Sequence, residues 1–344
     1  NTTAPEHTLD VNGAVNIPSD SAFRINGEAV LRTQLVANFG NTYTNLYLGP
    51  EAGQSNTIGR LNYFSGHQAG YSNNFGSANH FSGYQAGYNN IGGDANYFSG
   101  YEAGYSNISA SFNYFSGYQA GRENISGRWN VYIGAFAGQA GNYDNAIAIG
   151  YNAVARGNNT VTIGNSNHTS IGGYADWSVL SDGRFKREVA EDVPGLDFVT
   201  RLRPVSYRKD RRALQQFLHG EEADMDIPSQ EQPRETGFIA QEVEAVAEAI
   251  HYEFNGIIKP QSEKDHYQLS YATFVVPLVE AVQEQQELIE ALQTEVSRLN
   301  TENTKLQQET VSQQTALNQL AAMQDRLNAL EQLIHSQTQA TASK

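Results

Sequence analysis

The sequence predicts a chain whose N-terminal part is mainly β, a β-roll or solenoid of 17-residue repeats, followed by a small α/β segment and a C-terminal coiled coil. Three observations predict it. Glycine, alanine, asparagine and an aromatic recur at a fixed step of 17 from residue 45 onward. After residue 177 that rhythm gives way to mixed strand and helix patterns. From Val275 the apolar residues fall into a 3-4 spacing.

Composition narrows the function. The 344 residues allow two or three domains, and 39% hydrophobic content argues against one conventional core spanning them. A net charge of -15 disfavours nucleic acid and anionic membrane as partners. Cysteine is absent, which excludes disulfides and thiolate zinc sites. No apolar run reaches the length of a membrane span. The eight histidines show no metal spacing, so no metal and no cofactor are expected. Asn1 is not methionine, so processing or truncation is expected.

Residues 1–44 carry Val11-Asn12-Gly13 and Ile25-Asn26-Gly27, turn signals beside short apolar runs, and read as a β-rich attachment segment. The repeats occupy 45–172. A first glycine recurs at Gly49, Gly66, Gly83, Gly100, Gly117 and Gly134, and a second follows four residues later, from Gly53 to Gly138, each preceded by alanine. Asparagine stands four before the first glycine (Asn45 to Asn130), and an aromatic two before it (Tyr47, Phe64, Phe81, Phe98, Phe115, Tyr132). Such a period signals stacked coils with glycine at φ > 0 corners, alanine where coils touch and the aromatics in a ladder. Tyr71, Tyr84, Tyr88, Tyr101, Tyr105 and Tyr118 could stack on sugars, but packing within a coil or between chains is the preferred reading. Beyond Gly134 the step shortens to 16 and then 14, at Gly150 and Gly164.

Residues 177–274 read as α/β. Phe198 to Tyr207 is a helix end, a turn and a strand; Gly237 to Gln241 is a strand entering a helix over 242–250; a polar hairpin then leads to Tyr271. Residues 209–235 read as a charged loop, basic at Lys209, Arg211 and Arg212 and acidic at Glu221, Glu222, Asp224 and Asp226. Over 275–340, Val275, Val282, Ile289 and Val296 take heptad position a, and Leu278, Leu292, Leu299 and Leu306 take position d. Asn303 also falls at a, and the phase then slips by three residues, a stammer or a break.

At the seam lies Ser181-Asp182-Gly183-Arg184-Phe185-Lys186, where a hydroxyl and an amine five residues apart suggest a chain that cuts itself. A serine hydroxyl needs a base, and a lysine, with a reference pKa of about 10.4, serves as one only where burial favours its neutral form.

Two resemblances sharpen this reading. Ala146 to Gly150 and Val161 to Gly164 resemble the head repeats of trimeric autotransporter adhesins, left-handed β-rolls in which three chains share a core. Branched residues at a with Leu at d lean towards two strands, whereas the roll implies three, and the roll is followed here. Ser181-Asp182-x-Arg184-x-Lys186, then Leu202 to Tyr207, then Gly237 to Val243, resemble the intramolecular chaperone of endosialidase family, self-cleaving C-terminal domains of phage tail spikes and fibres. The resemblance implies a homotrimer with a scissile bond at Leu180-Ser181, Ser181 as nucleophile and Lys186 as base. Asp182, Arg184, Gly237, Gln241 and Glu242 are supporting motif residues. The implied location is a virion tail or a cell surface, with a cell-surface glycan or a protein receptor as candidate partner. The alternative is a bacterial surface adhesin with a retained, non-cleaving chaperone domain. A glycosidase is disfavoured because the repeats hold only five acidic residues over 45–172.

Overall fold

A computed structural model describes residues 22–38, 41–139, 141–219, 233–261 and 265–342. The chain divides into two compact units. The first holds Asn1–Leu180 with Arg208–Glu235 and Lys259–His266; the second holds Ser181–Tyr207, Thr236–Ile258 and Tyr267–Lys344.

The first unit is built on one sheet. Strands β1 (Ala22–Ile25), β2 (Glu28–Asn38) and β3 (Asn41–Leu48) pair antiparallel. Asn26 and Gly27, at φ 51° and 85°, make the tight β1–β2 turn that the sequence signals. The other turn signal, Val11-Asn12-Gly13, lies outside the described residues. From β3 onward each coil adds one parallel three-residue strand: β4 (Tyr63–Ser65), β5 (His80–Ser82), β6 (Tyr97–Ser99), β7 (Tyr114–Ser116), β8 (Val131–Ile133), β9 (Ile147–Ile149) and β10 (Val161–Ile163). The register equals the sequence period, with Phe64 opposite Phe81 and Phe81 opposite Phe98, so the repeat is a β-solenoid.

The period exists because like residues satisfy one another coil to coil. Tyr47, Phe64, Phe81, Phe98, Phe115 and Tyr132 are fully buried and stack in one file, with centroids 4.7 to 5.5 Å apart, over buried Ala52 to Ala137. The second glycine of each repeat fits against this file: a Cβ on Gly104, at φ +60°, would sit in the Phe98 ring. Asn45, Asn62, Asn79, Asn96, Asn113 and Asn130 form an internal ladder. Each Oδ1 accepts the backbone N–H of its counterpart in the next coil, as in Asn62 N to Asn45 Oδ1 at 2.8 Å. Each Nδ2 donates to a carbonyl across its own coil, as in Asn62 to Gly76 O at 2.8 Å. A second buried file, Asn56, Asn73, Asn90, Asn107 and Asn124, escapes the sequence reading. Buried carboxamides are costly when unbonded, and repetition supplies partners to most of them.

Several non-glycine residues also hold left-handed backbone, among them Gln68, Gln85, Glu102 and Gln119, at φ 51° to 56°. Such conformations cost about 1–3 kcal/mol each. Backbone bonds to the preceding coil hold them, as in Gln85 N to His67 O at 2.9 Å. At the N-terminal end, Gln34 caps the files: its Oε1 accepts from Tyr47 Oη and Asn56 Nδ2, each at 2.8 Å.

The six tyrosines read as packing residues lie outside the interior. Tyr71, Tyr88 and Tyr105 stack in one external row and Tyr84, Tyr101 and Tyr118 in another, at 5.0 to 5.2 Å. In these coils the buried aromatic is the one two residues before each first glycine.

In the second unit α1 (Leu196–Val199) leads to β11 (Val205–Tyr207). Helix α2 (Arg211–His219), which belongs by its contacts to the first unit, replaces the basic part of the expected charged loop; Asp210 starts it by accepting the Ala213 N–H at 2.9 Å. The acidic residues 221–226 lie outside the described residues. Strand β12 (Glu235–Gly237) pairs with β11, and α3 (Ala240–Ala249) follows. Phe198, Val243, Ala247, Phe254 and Phe274 form the core. The hairpin of β13 (Ile257–Ile258) and β14 (Gln268–Leu269) leads to α4 (Val275–Ala342), one unbroken helix through the expected stammer. Its a and d residues are exposed, Val282 at 63% and Leu292 at 64%, as a coiled-coil strand requires of its seam.

Candidate functional site

The residues from Ser181 to Lys186 form a self-contained turn at the start of the second unit. Asp182 caps a single 3-10 turn, Gly183–Phe185: its Oδ1 accepts the Arg184 N–H at 2.9 Å. Its Oδ2 accepts from the Arg184 guanidinium at 2.6 Å. These bonds hold the Asp182 carboxyl below the usual carboxylate range and push the Arg184 guanidinium higher still. Lys186 N donates to Gly183 O at 3.2 Å, and the chain then leaves the turn extended. That geometry returns the Lys186 side chain over the turn, and its Nζ lies 3.0 Å from Ser181 Oγ, with the amine as donor. The same line, reversed, would let a neutral amine accept the hydroxyl proton. Gly183 keeps an ordinary negative-φ backbone, and a Cβ there would meet nothing within 4 Å, so the bend does not depend on glycine.

Both dyad residues are exposed in the single chain. So are the apolar residues around the bond: Trp177, Val179, Leu180, Phe185 and Val189. Monomeric proteins seldom leave such a run in water.

The other expected motif residues sit elsewhere in the unit. Gly237 ends β12 where a Cβ would strike Tyr271 Oη, and that hydroxyl accepts the Phe238 N–H at 3.0 Å. Gln241 is exposed in the first turn of α3. Glu242 pairs with Arg203, which holds its carboxyl below the usual range. Among the described residues no hydrogen bond or ion pair joins Ser181 or Lys186 to Gly237, Gln241 or Glu242. Tyr271 and Arg203 are thus the partners that sequence reasoning left without a role. Arg203 lies 39 positions from Glu242, a separation that no local pattern reveals.

The first of the boundaries between the units along the chain falls between Leu180 and Ser181. Residues 181–251 match the family model described as chaperone of endosialidase, so the match begins at the same serine. Comparison with curated proteins and with solved structures returned no match. No helix among the described residues is long and apolar enough to cross a membrane.

Proposed function

We propose that this chain is a homotrimeric fibre or tail-tip protein whose C-terminal segment drives assembly and then cuts itself off between Leu180 and Ser181. The observation that carries the reading is the 3.0 Å contact of Lys186 Nζ with Ser181 Oγ, immediately after the bond where the two units part. Ser181 Oγ attacks the Leu180 carbonyl carbon while Lys186 takes the hydroxyl proton. The Ser181 nitrogen then leaves, protonated, and the Leu180 acyl group passes from nitrogen to oxygen as an ester. Water hydrolyses that ester to a Leu180 carboxylate and a new Ser181 amino terminus. Asp182 and Arg184 hold the turn.

Exposure of the dyad in one chain supports control by assembly, since burial between copies would favour the neutral amine that a base requires. The exposed α4 seam and the apolar run beside the bond support self-association. Assembly of a fibre must bring separate chains into register, and unpaired strand edges aggregate meanwhile; a helical clamp raises local concentration and sets register. Releasing the clamp afterwards makes the fibre's stability kinetic. A virion tail is the setting that the chaperone of endosialidase match favours. A cell-surface receptor, glycan or protein, would then meet residues 1–180.

Denaturing electrophoresis of the wild-type chain beside Ser181→Ala and Lys186→Ala tests this. Two fragments are expected from the wild type and one intact band from each variant. An intact wild-type chain after assembly would instead support the retained chaperone domain of a surface adhesin.

A further inference from the structure

The heptad seam of α4 accounts for one stripe of that helix. Val276 and Val279 lie off the stripe and are nonetheless 59% and 52% exposed. With Val193 they line an open groove against the start of α4, and its charged lining is all carboxylate, including Glu191, Glu280 and Glu287. The groove shares its Val275 and Val282 edge with the seam, and a coiled coil formed through the a and d positions leaves the side at Val276, Glu280 and Glu287 uncovered.

The same unit carries a segment of complementary character. Residues 184–189 place Arg184, Lys186 and Arg187 around exposed Phe185 (68%) and Val189 (80%), with Glu188 as the one acid. The Arg187 guanidinium donates to the carbonyls of Arg184 and Lys186, each at 3.0 Å, while Arg184 is committed to Asp182. In a single copy this segment stands in solvent instead of lying in the groove.

We propose that the groove is a docking site for residues 184–189 of a second copy of the chain. Phe185 enters between Val276 and Val279, and Arg187 pairs with Glu280 and Glu287. Apolar contact supplies the affinity and the opposite charges set register and orientation. The inference rests on the self-associating, self-cleaving reading above and names the surface through which assembly would act.

The chain holds no cysteine, so introduced ones report without background. Two differently tagged full-length chains, both Ser181→Ala, are co-expressed, one with Phe185→Cys and the other with Val279→Cys. Mild oxidation and non-reducing electrophoresis are expected to give a linked species carrying both tags, absent from either single variant alone. Adding Arg187→Glu should cut its yield at least tenfold, and Glu280→Arg with Glu287→Arg should restore it. No mixed species, or linkage only when both cysteines share one chain, overturns the proposal. Both sites are exposed in the single chain, and melting of each variant beside the Ser181→Ala parent checks folding. Should one be lost, Val189→Cys with Val276→Cys repeats the test. Because no chain here can cleave, the outcome is independent of whether the wild type cuts itself.

Discussion

Ala110 and Asn107 stand against each other inside the solenoid. Ala110 occupies the position held by Gly59, Gly76, Gly93 and Gly127 in the other coils, and Asn107 is the carboxamide left with neither Nδ2 nor Oδ1 bonded. Elsewhere in this file the side chain donates to the residue three positions on, as in Asn73 Nδ2 to Gly76 O at 3.0 Å, and to the Asn before it, as in Asn90 Nδ2 to Asn73 Oδ1 at 2.7 Å. A Cβ on any of those glycines would run into the asparagine three residues earlier. The methyl of Ala110 thus breaks the file and also strands Asn90 Oδ1, which would otherwise receive from Asn107.

Ala110→Gly is therefore expected to stabilise the solenoid. Rejoining the file recovers buried groups that cost about 1–3 kcal/mol each when unpaired. Added backbone freedom takes back about 0.5–1 kcal/mol. A raised midpoint in thermal or denaturant unfolding checks this, and a lowered one would show that the methyl is not what displaces Asn107.

The two ends of the aromatic file make opposite predictions for one substitution. Tyr47 Oη donates to Gln34, so Tyr47→Phe should lose about 0.5–1.5 kcal/mol. Tyr132 Oη is buried without a partner, so Tyr132→Phe should gain about 1–3 kcal/mol. Equilibrium unfolding of the two variants side by side decides.

Burial pushes both phenols well above the ordinary tyrosine range. An acid whose folded value is raised contributes stability that is complete below its unfolded value, about 10. That stability is lost as pH rises towards the folded value. In a spectrophotometric titration these two rings should stay neutral through the ordinary tyrosine range, until the solenoid unfolds. Loss of a titration step near 10 on Tyr47→Phe or Tyr132→Phe, with the fold intact, would contradict this.

Two glycine substitutions should differ sharply. Gly104→Ala combines φ +60° with a Cβ set into the Phe98 ring, and should cost about 2–5 kcal/mol. Gly183→Ala meets open space at ordinary backbone angles and should stay within about 0.5 kcal/mol of the parent. Its cleavage, followed by band intensity over time, should match the wild type.

Asp182→Asn should slow cleavage on the order of 10- to 100-fold by loosening the turn that aims Lys186 at Ser181. The Arg184 pairing lowers the Asp182 carboxyl, so its hold on the turn is full above the ordinary carboxylate range and is lost only as pH falls through the depressed value. Backbone NMR of the Arg184 amide, bonded to that carboxylate at 2.9 Å, follows both effects. An amide shift unchanged by Asp182→Asn would sink this account of the turn.

Much of the fold was legible because stacked coils repeat their chemistry. Gly66, Ala69 and Phe64 recur at one step, and the structure places each type in one file. The file from Asn56 to Asn124 is equally periodic, but asparagine is common in turns and its burial does not show in a pattern. The row of Tyr84, Tyr101 and Tyr118 was visible as a row, but periodicity gives no inside or outside at a corner. Helix α2 was hidden by charge: Arg211 and Arg212 suggested a solvated loop, although Asp210 stood before them as a cap.

By itself the sequence determined the period, the seam at residue 181, the motif and the heptads of α4, because each is a local or repeating regularity. The tertiary structure alone decided the rest. It placed Lys186 Nζ on Ser181 Oγ, set Arg203 on Glu242, stranded Asn107 beneath Ala110, and left Val276 and Val279 open beside carboxylates. These depend on side-chain direction and on groups distant along the chain, and a linear pattern carries neither.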